Sequence, residues 1–155
     1  MSQEGIRPLL LHYCHWYVDH KGQIAYEEVR PGDFGARLPR WDDCSLAFIN
    51  VFYLAGGHDP SGNNFNGWGN TNSLARNGQA INQEKTDLRV GDGVIYYDNS
   101  GNFTPYNTEH IAMLVDSDQG DPLTMSHGQS SEPAFVRVSQ DGRPHRYFRY
   151  AVNER

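Results

Sequence analysis

Cys44 stands near the start of RWDDCSLAFINVFYLAGG (residues 40–57), and His110 and His127 flank the later stretch HIAMLVDSDQGDPLTMSH. A thiol and two imidazoles are the parts of a nucleophilic system. One imidazole takes the thiol proton, and a second polar group holds the first in orientation and tautomer. Between the histidines the apolar residues alternate, with His110, Ala112 and Leu114 on one strand face and Leu123, Met125 and His127 on one face of the next. If these strands form a hairpin, the midpoint of the two histidines falls between Asp118 and Gln119, inside SDQGD. Ordinary antiparallel pairing then sets His110 opposite His127 on one face, at roughly 5 Å between β-carbons.

The cysteine needs its own support. Asp42 or Asp43 can cap a helix and Gly56-Gly57 can end it, while only Ser45 and Asn50 are polar in between. A helix apolar nearly all round is central to its fold. Cys44 in its first turn is then either a small apolar core residue or a thiol whose ionisation the helix N-terminus favours. The two aspartates oppose that ionisation unless they point away as caps.

Upstream, PLLLHYCHWYVDHKG reads as a helix with Leu10, Tyr13, Cys14 and Tyr17 as its buried stripe and Gly22 at its end. QIAYEEVRPGDFGARLPRW reads as an irregular connection. HDPSGNNFNGWGNTNSLARNG has no usable periodicity, and so long a loop in a compact domain is usually functional or disordered. From there the period becomes two. Val94–Tyr97, Glu109–Val115, Leu123–His127, Phe135–Val138 and Tyr147–Val152 predict five strands. A helical half followed by an antiparallel half is an α+β architecture, and residues 1–155 read as a single domain with no repeat.

With 13 basic against 19 acidic residues and a net charge of −6, the chain has no Lys/Arg cluster suited to a nucleic-acid backbone. No stretch is long enough for a membrane span, and Leu9–Leu11 is too short for a signal peptide. Both cysteines are expected as free thiols. His12, Cys14, His15 and His20 are ligand types, but on a helix only His12 with His15, or His15 with Asp19, share a face. That is at most part of a tetrahedral shell, so no zinc is expected. DPSGNNFNG lacks the acidic residue that a calcium loop starting at Asp59 needs, since Asn70 stands there.

The order DDCSLAFINVFYLAGG, LRVGDGVIYY, EHIAMLV and MSHG resembles the NlpC-type cysteine peptidases of peptidoglycan, a papain-like family. LAGGHDPSGNNFNGWGNT and DPLTMSHGQ look most like peptidase domains of endolysins from phages of actinobacteria. The resemblance implies a papain-like fold, with N-terminal helices packed on an antiparallel sheet of about five strands. It implies Cys44 as nucleophile, His110 as general base, His127 as orienting residue, and Tyr26 with its hydroxyl near the oxyanion. Leu46 departs from the pattern, in which glycine commonly follows Asp-Cys-Ser, and the interval from His110 to His127 is longer than usual.

The activity so implied is hydrolysis of an amide bond in stem peptides, most commonly γ-D-glutamyl–diaminopimelate, through a thioacyl enzyme and with no cofactor. Phe65 and Trp68, in the long loop, are the candidate walls of a substrate groove. An acyltransferase or transpeptidase with the same triad and a secreted amidase toxin are the alternatives; an intact Cys-His-His set speaks against a wall-binding module without catalysis. A monomer made in a host cytoplasm without a signal peptide, released by holin-type pores or a secretion machine, and without a separate wall-binding domain, completes the expectation.

Overall fold

The computed structural model describes residues 4–82, 87–128 and 131–155. Its elements are helix α1 (Arg7–Asp19), strand β1 (Ile24–Tyr26), β2 (Arg40–Asp42), helix α2 (Cys44–Leu54), α3 (Thr71–Asn77), β3 (Gln79–Ala80), β4 (Gly93–Tyr97), β5 (Thr108–Leu114), β6 (Leu123–Ser126), β7 (Ala134–Arg137), the short helix α4 (Val138–Asp141) and β8 (His145–Arg149). No helix among the described residues is long and apolar enough to cross a membrane.

Helix α2 forms where the apolar run predicts it. Asp43, in extended backbone, accepts the Leu46 N–H at 2.9 Å as N-cap, and Gly56 leaves the helix at φ +82°. Its Phe48 and Phe52 are sealed in the main core, where each such ring contributes about 1.5–3 kcal/mol by burial. Leu46, standing where the NlpC pattern has glycine, is buried against Gly32, at which an added β-carbon would come within 2.6 Å of the Leu46 side chain. The absence of a side chain at Gly32 leaves the space that Leu46 fills.

The sheet has six strands in the order β3-β8-β4-β5-β6-β7, rather than about five, because Gln79–Ala80 adds a two-residue edge to β8. All its pairings are antiparallel. One face carries the main core with α1 and α2, including Ile111, Met113 and Met125. The other carries a smaller cluster that includes Val94, Tyr96, Leu114 and Tyr147. The connection expected to be irregular holds a parallel pair, β1 with β2, which sets Tyr26 beside Asp42.

The β5–β6 register corrects the hairpin arithmetic. Met113 pairs with Met125 and Leu114 with Thr124, so the position opposite His110 is 128 and not 127. The turn is one residue longer because its aspartates organise it: Asp116 accepts the N–H groups of Asp118 and Leu123, and Asp118 that of Gly120. A slip of one residue reverses the face of every side chain.

Candidate active site

Cys44, the first residue of α2, lies in the floor of a cavity of about 350 Å³. Tyr26 and Arg30 form one side, Asn70, Thr71 and Asn72 a second, and Thr108 and Glu109 a third. The thiol is 6% exposed. Its surroundings come from three elements: the Tyr26 hydroxyl from β1, the Thr71 hydroxyl at 3.9 Å from α3, and the backbone N–H of Ile111 from β5. All three favour the thiolate, yet burial and the Asp43 carboxylate outweigh them and hold the thiol above its ordinary pKa. The helix N-terminus therefore does not make Cys44 a resting thiolate. Cys14 is different in kind: fully buried between α1 and the sheet, it makes only a 3.4 Å contact to Met113 Sδ, and its pKa is raised by burial alone. Both cysteines are free.

His110 precedes Ile111, whose N–H faces the sulfur, but it does not line the cavity: it pairs with Tyr96 on the sheet face opposite to the one that carries Ile111 and α2, and no hydrogen bond joins it to Cys44 among the described residues. Its Nε2 is 2.8 Å from Ser126 Oγ, and its ring stacks on Tyr96 at 5.7 Å between centroids. Burial, reinforced by the nearby Arg143 guanidinium, lowers its pKa to about 4, so the imidazole is neutral at neutral pH.

His127 does not orient His110. Its Nδ1 sits 3.0 Å from Asp42 Oδ1 without the geometry of a hydrogen bond, and its Nε2 has no hydrogen-bond partner among the described residues. The other oxygen of Asp42 accepts from Tyr17 at 2.7 Å and Arg40 Nε at 2.8 Å, and Asn50 donates to the Tyr17 hydroxyl at 2.9 Å. This network lies fully behind the cavity, and His127 meets Tyr26 edge-to-face at 5.2 Å. The predicted orienting residue is thus replaced at His110 by its neighbour Ser126, for the register reason given above.

Tyr26 reaches the thiol, and its own ionisation is pushed up by burial and by the cysteine and carboxylates around it. Phe65 and Trp68 do not line the cavity. Phe65, at φ +55°, packs edge-on to Phe34 and Tyr53, and Trp68 is exposed. The long loop contributes through Asn70–Asn72 instead, where Asn70 caps α3 in a reciprocal bond with Ser73. Asn70, three residues ahead of Ser73, was the signal for this helix. Arg30, an unpredicted neighbour of Cys44 in the cavity lining, bonds Asp43 at 3.0 Å and Ser45 at 3.1 Å.

No family model and no curated protein matches this chain. Among solved structures it resembles a protein from Staphylococcus aureus described as similar to lipoprotein, of the NLP/P60 family, with a TM-score of 0.53 and 17% sequence identity. The likeness covers 100% of this chain and 43% of that one, so the chain spans less than half the length of its structural neighbour. At that identity the likeness is one of fold, and the fold is of the NLP/P60 type.

Proposed function

We propose that this chain is a cysteine hydrolase that cleaves an amide bond in peptidoglycan stem peptides, with γ-D-glutamyl–diaminopimelate as the preferred bond and an endolysin as the setting, released to the wall from the cytoplasm in which it is made. The observation that carries the reading is the cavity around Cys44: a thiol at a helix start, ringed by three groups that stabilise its anion. The NLP/P60-type fold supports the substrate class.

In this mechanism His110 takes the tautomer in which Nε2–H donates to Ser126 Oγ, leaving the Nδ1 lone pair free. As substrate closes over the thiol, Nδ1 takes the Cys44 proton and sulfur attacks the amide carbonyl; such hydrogen bonds commonly tighten only in the complex. The Cys44 N–H, which has no intrahelical acceptor in the first turn, and the Tyr26 hydroxyl donate to the oxyanion. The C–N bond breaks as His110 returns the proton to the leaving amine. Water then adds to the thioester, losing its proton to His110, and the acid departs as the thiol is restored.

Mass spectrometry of muropeptides digested with the protein tests the reading. New termini at D-Glu and diaminopimelate are expected. Cleavage at a different amide would move the specificity, and intact muropeptides would remove the assignment.

A further inference from the structure

A second cavity, of about 950 Å³, opens beside the starts of β5 and β8 and the turn after β4. Both β5 and β8 pair antiparallel with β4, so their starts and the turn after β4 lie at one end of the sheet, where Thr108 and Glu109 also line the Cys44 cavity. The two cavities share a wall. Glu109 lines the first and Arg143 the second, and the pair is bridged at 3.7 Å.

The charges in this groove do not balance. Arg143 is neutralised by a two-pronged contact with Asp141, at 2.7 and 2.8 Å. Arg146 is not. Its guanidinium lies flat over the Phe103 ring, 3.6 Å from the centroid, and donates only to the carbonyl of His145. It has no carboxylate partner among the described residues, and the carboxylate of the turn after β4, Asp98, is engaged by Ser100 and Asn107. A guanidinium stacked on an aromatic ring keeps its donor edge in one plane, which suits paired contact with a carboxylate. In a chain of net charge −6, an exposed arginine with no carboxylate partner among the described residues, within a partly apolar groove, points to an anionic ligand.

We propose that this groove is a second binding site, which takes a carboxylate-bearing stretch of the polymer whose peptide enters the Cys44 cavity. It rests on the hydrolase reading, because the shared wall and common sheet end make the occupant a continuation of the substrate. Arg146 grips the carboxylate, and Phe103 and Tyr147 supply apolar surface for the chain between its charged groups.

The test measures binding of soluble glycan-linked muropeptides to the Cys44→Ala protein, which does not consume them. Arg146→Gln in that background should weaken binding about tenfold, in line with the loss of a hydrogen bond to a charged group. Fragments whose carboxylates have been converted to methylamides should bind both proteins equally. In the otherwise unaltered protein, Arg146→Gln should leave cleavage of a short free stem peptide unchanged. Equal binding of the carboxylate fragments by both proteins, or an equal loss on both fragment types, overturns the proposal. So does displacement of the muropeptide from Arg146 by a phosphodiester wall polymer at lower concentration. Arg146-dependent binding in a protein that cleaves no stem peptide would overturn the hydrolase reading and leave the groove standing; cleavage without such binding does the reverse.

Discussion

Ser126 Oγ lies 2.8 Å from His110 Nε2, in the place that the spacing of the β5–β6 hairpin assigns to His127. A hydroxyl there can hold the imidazole ring in place in either tautomer but stabilises its protonated form less than a carboxylate would. Ser126→Ala should therefore lower kcat by about 100-fold, the low end of the usual range for one element of acid–base catalysis. Ser126→Thr, which keeps the oxygen, should recover most of it. Steady-state rates on purified peptidoglycan check this, and a Ser126→Ala protein with the parent's kcat removes the residue from the site.

His127 belongs to stability first. Its partner Asp42 is fully buried, and removing one member of a buried pair costs about 3–5 kcal/mol. Arg40 and Tyr17 still hold Asp42, so the low end, about 3 kcal/mol, is expected for His127→Ala in urea unfolding. A His127→Ala protein as stable as the parent, with activity as low as Ser126→Ala, would return His127 to its predicted orienting role.

Alkylation of Cys44 should report a protonated resting thiol. Burial and Asp43 raise its pKa, so the rate with iodoacetamide should climb with pH and reach its midpoint above the value near 8.5 of a free thiol. Asp43→Asn keeps a capping side chain but removes the negative charge, and should move the midpoint down. Fast labelling at pH 6 would show instead that the thiolate is the resting form.

The sequence made both helices around the core and all five longer strands legible, through a periodic apolar pattern in α1, a capped apolar run in α2, and apolar or alternating segments bounded by turn residues in the strands. The β1–β2 pair escaped, since two three-residue segments that meet across a long connection leave no periodic trace. The same segments carry Tyr26 and Asp42, so the nucleophile's hydroxyl neighbour was legible through resemblance and the buried Asp42 network was not. Cys44 and His110 were read from local residues: a cap, a helix start and a strand start. The third position depended on a register, and a register depends on turn length, which the Asp116 and Asp118 bonds set in three dimensions. Phe65 was misread for a related reason. Its loop looked like a free surface, but the ring turns inward against Phe34 and Tyr53.

Acid should weaken the fold through His110. Its pKa is about 4 in the native state, against about 6.5 for a free histidine. As pH falls through 6.5 the unfolded chain binds this proton first, so stability is lost between pH 6.5 and 4; above 6.5 the contribution is complete. The loss is on the order of 3 kcal/mol. Urea unfolding at pH 7 and pH 4 should show His110→Gln losing less stability than the parent by about that amount. An equal loss in the two proteins would mean that His110 titrates normally.

The account stands or falls on Cys44 as the acylated residue. Rapid acid quench during turnover of a stem peptide, followed by peptide mapping by mass spectrometry, should find the acyl mass of the amine-free product on the peptide bearing Cys44. The Cys14 peptide should be unmodified, Cys14→Ala should cleave like the parent, and Cys44→Ala should neither trap the acyl group nor release product. Release of product by Cys44→Ala, or an acyl group on any other residue, would contradict the account.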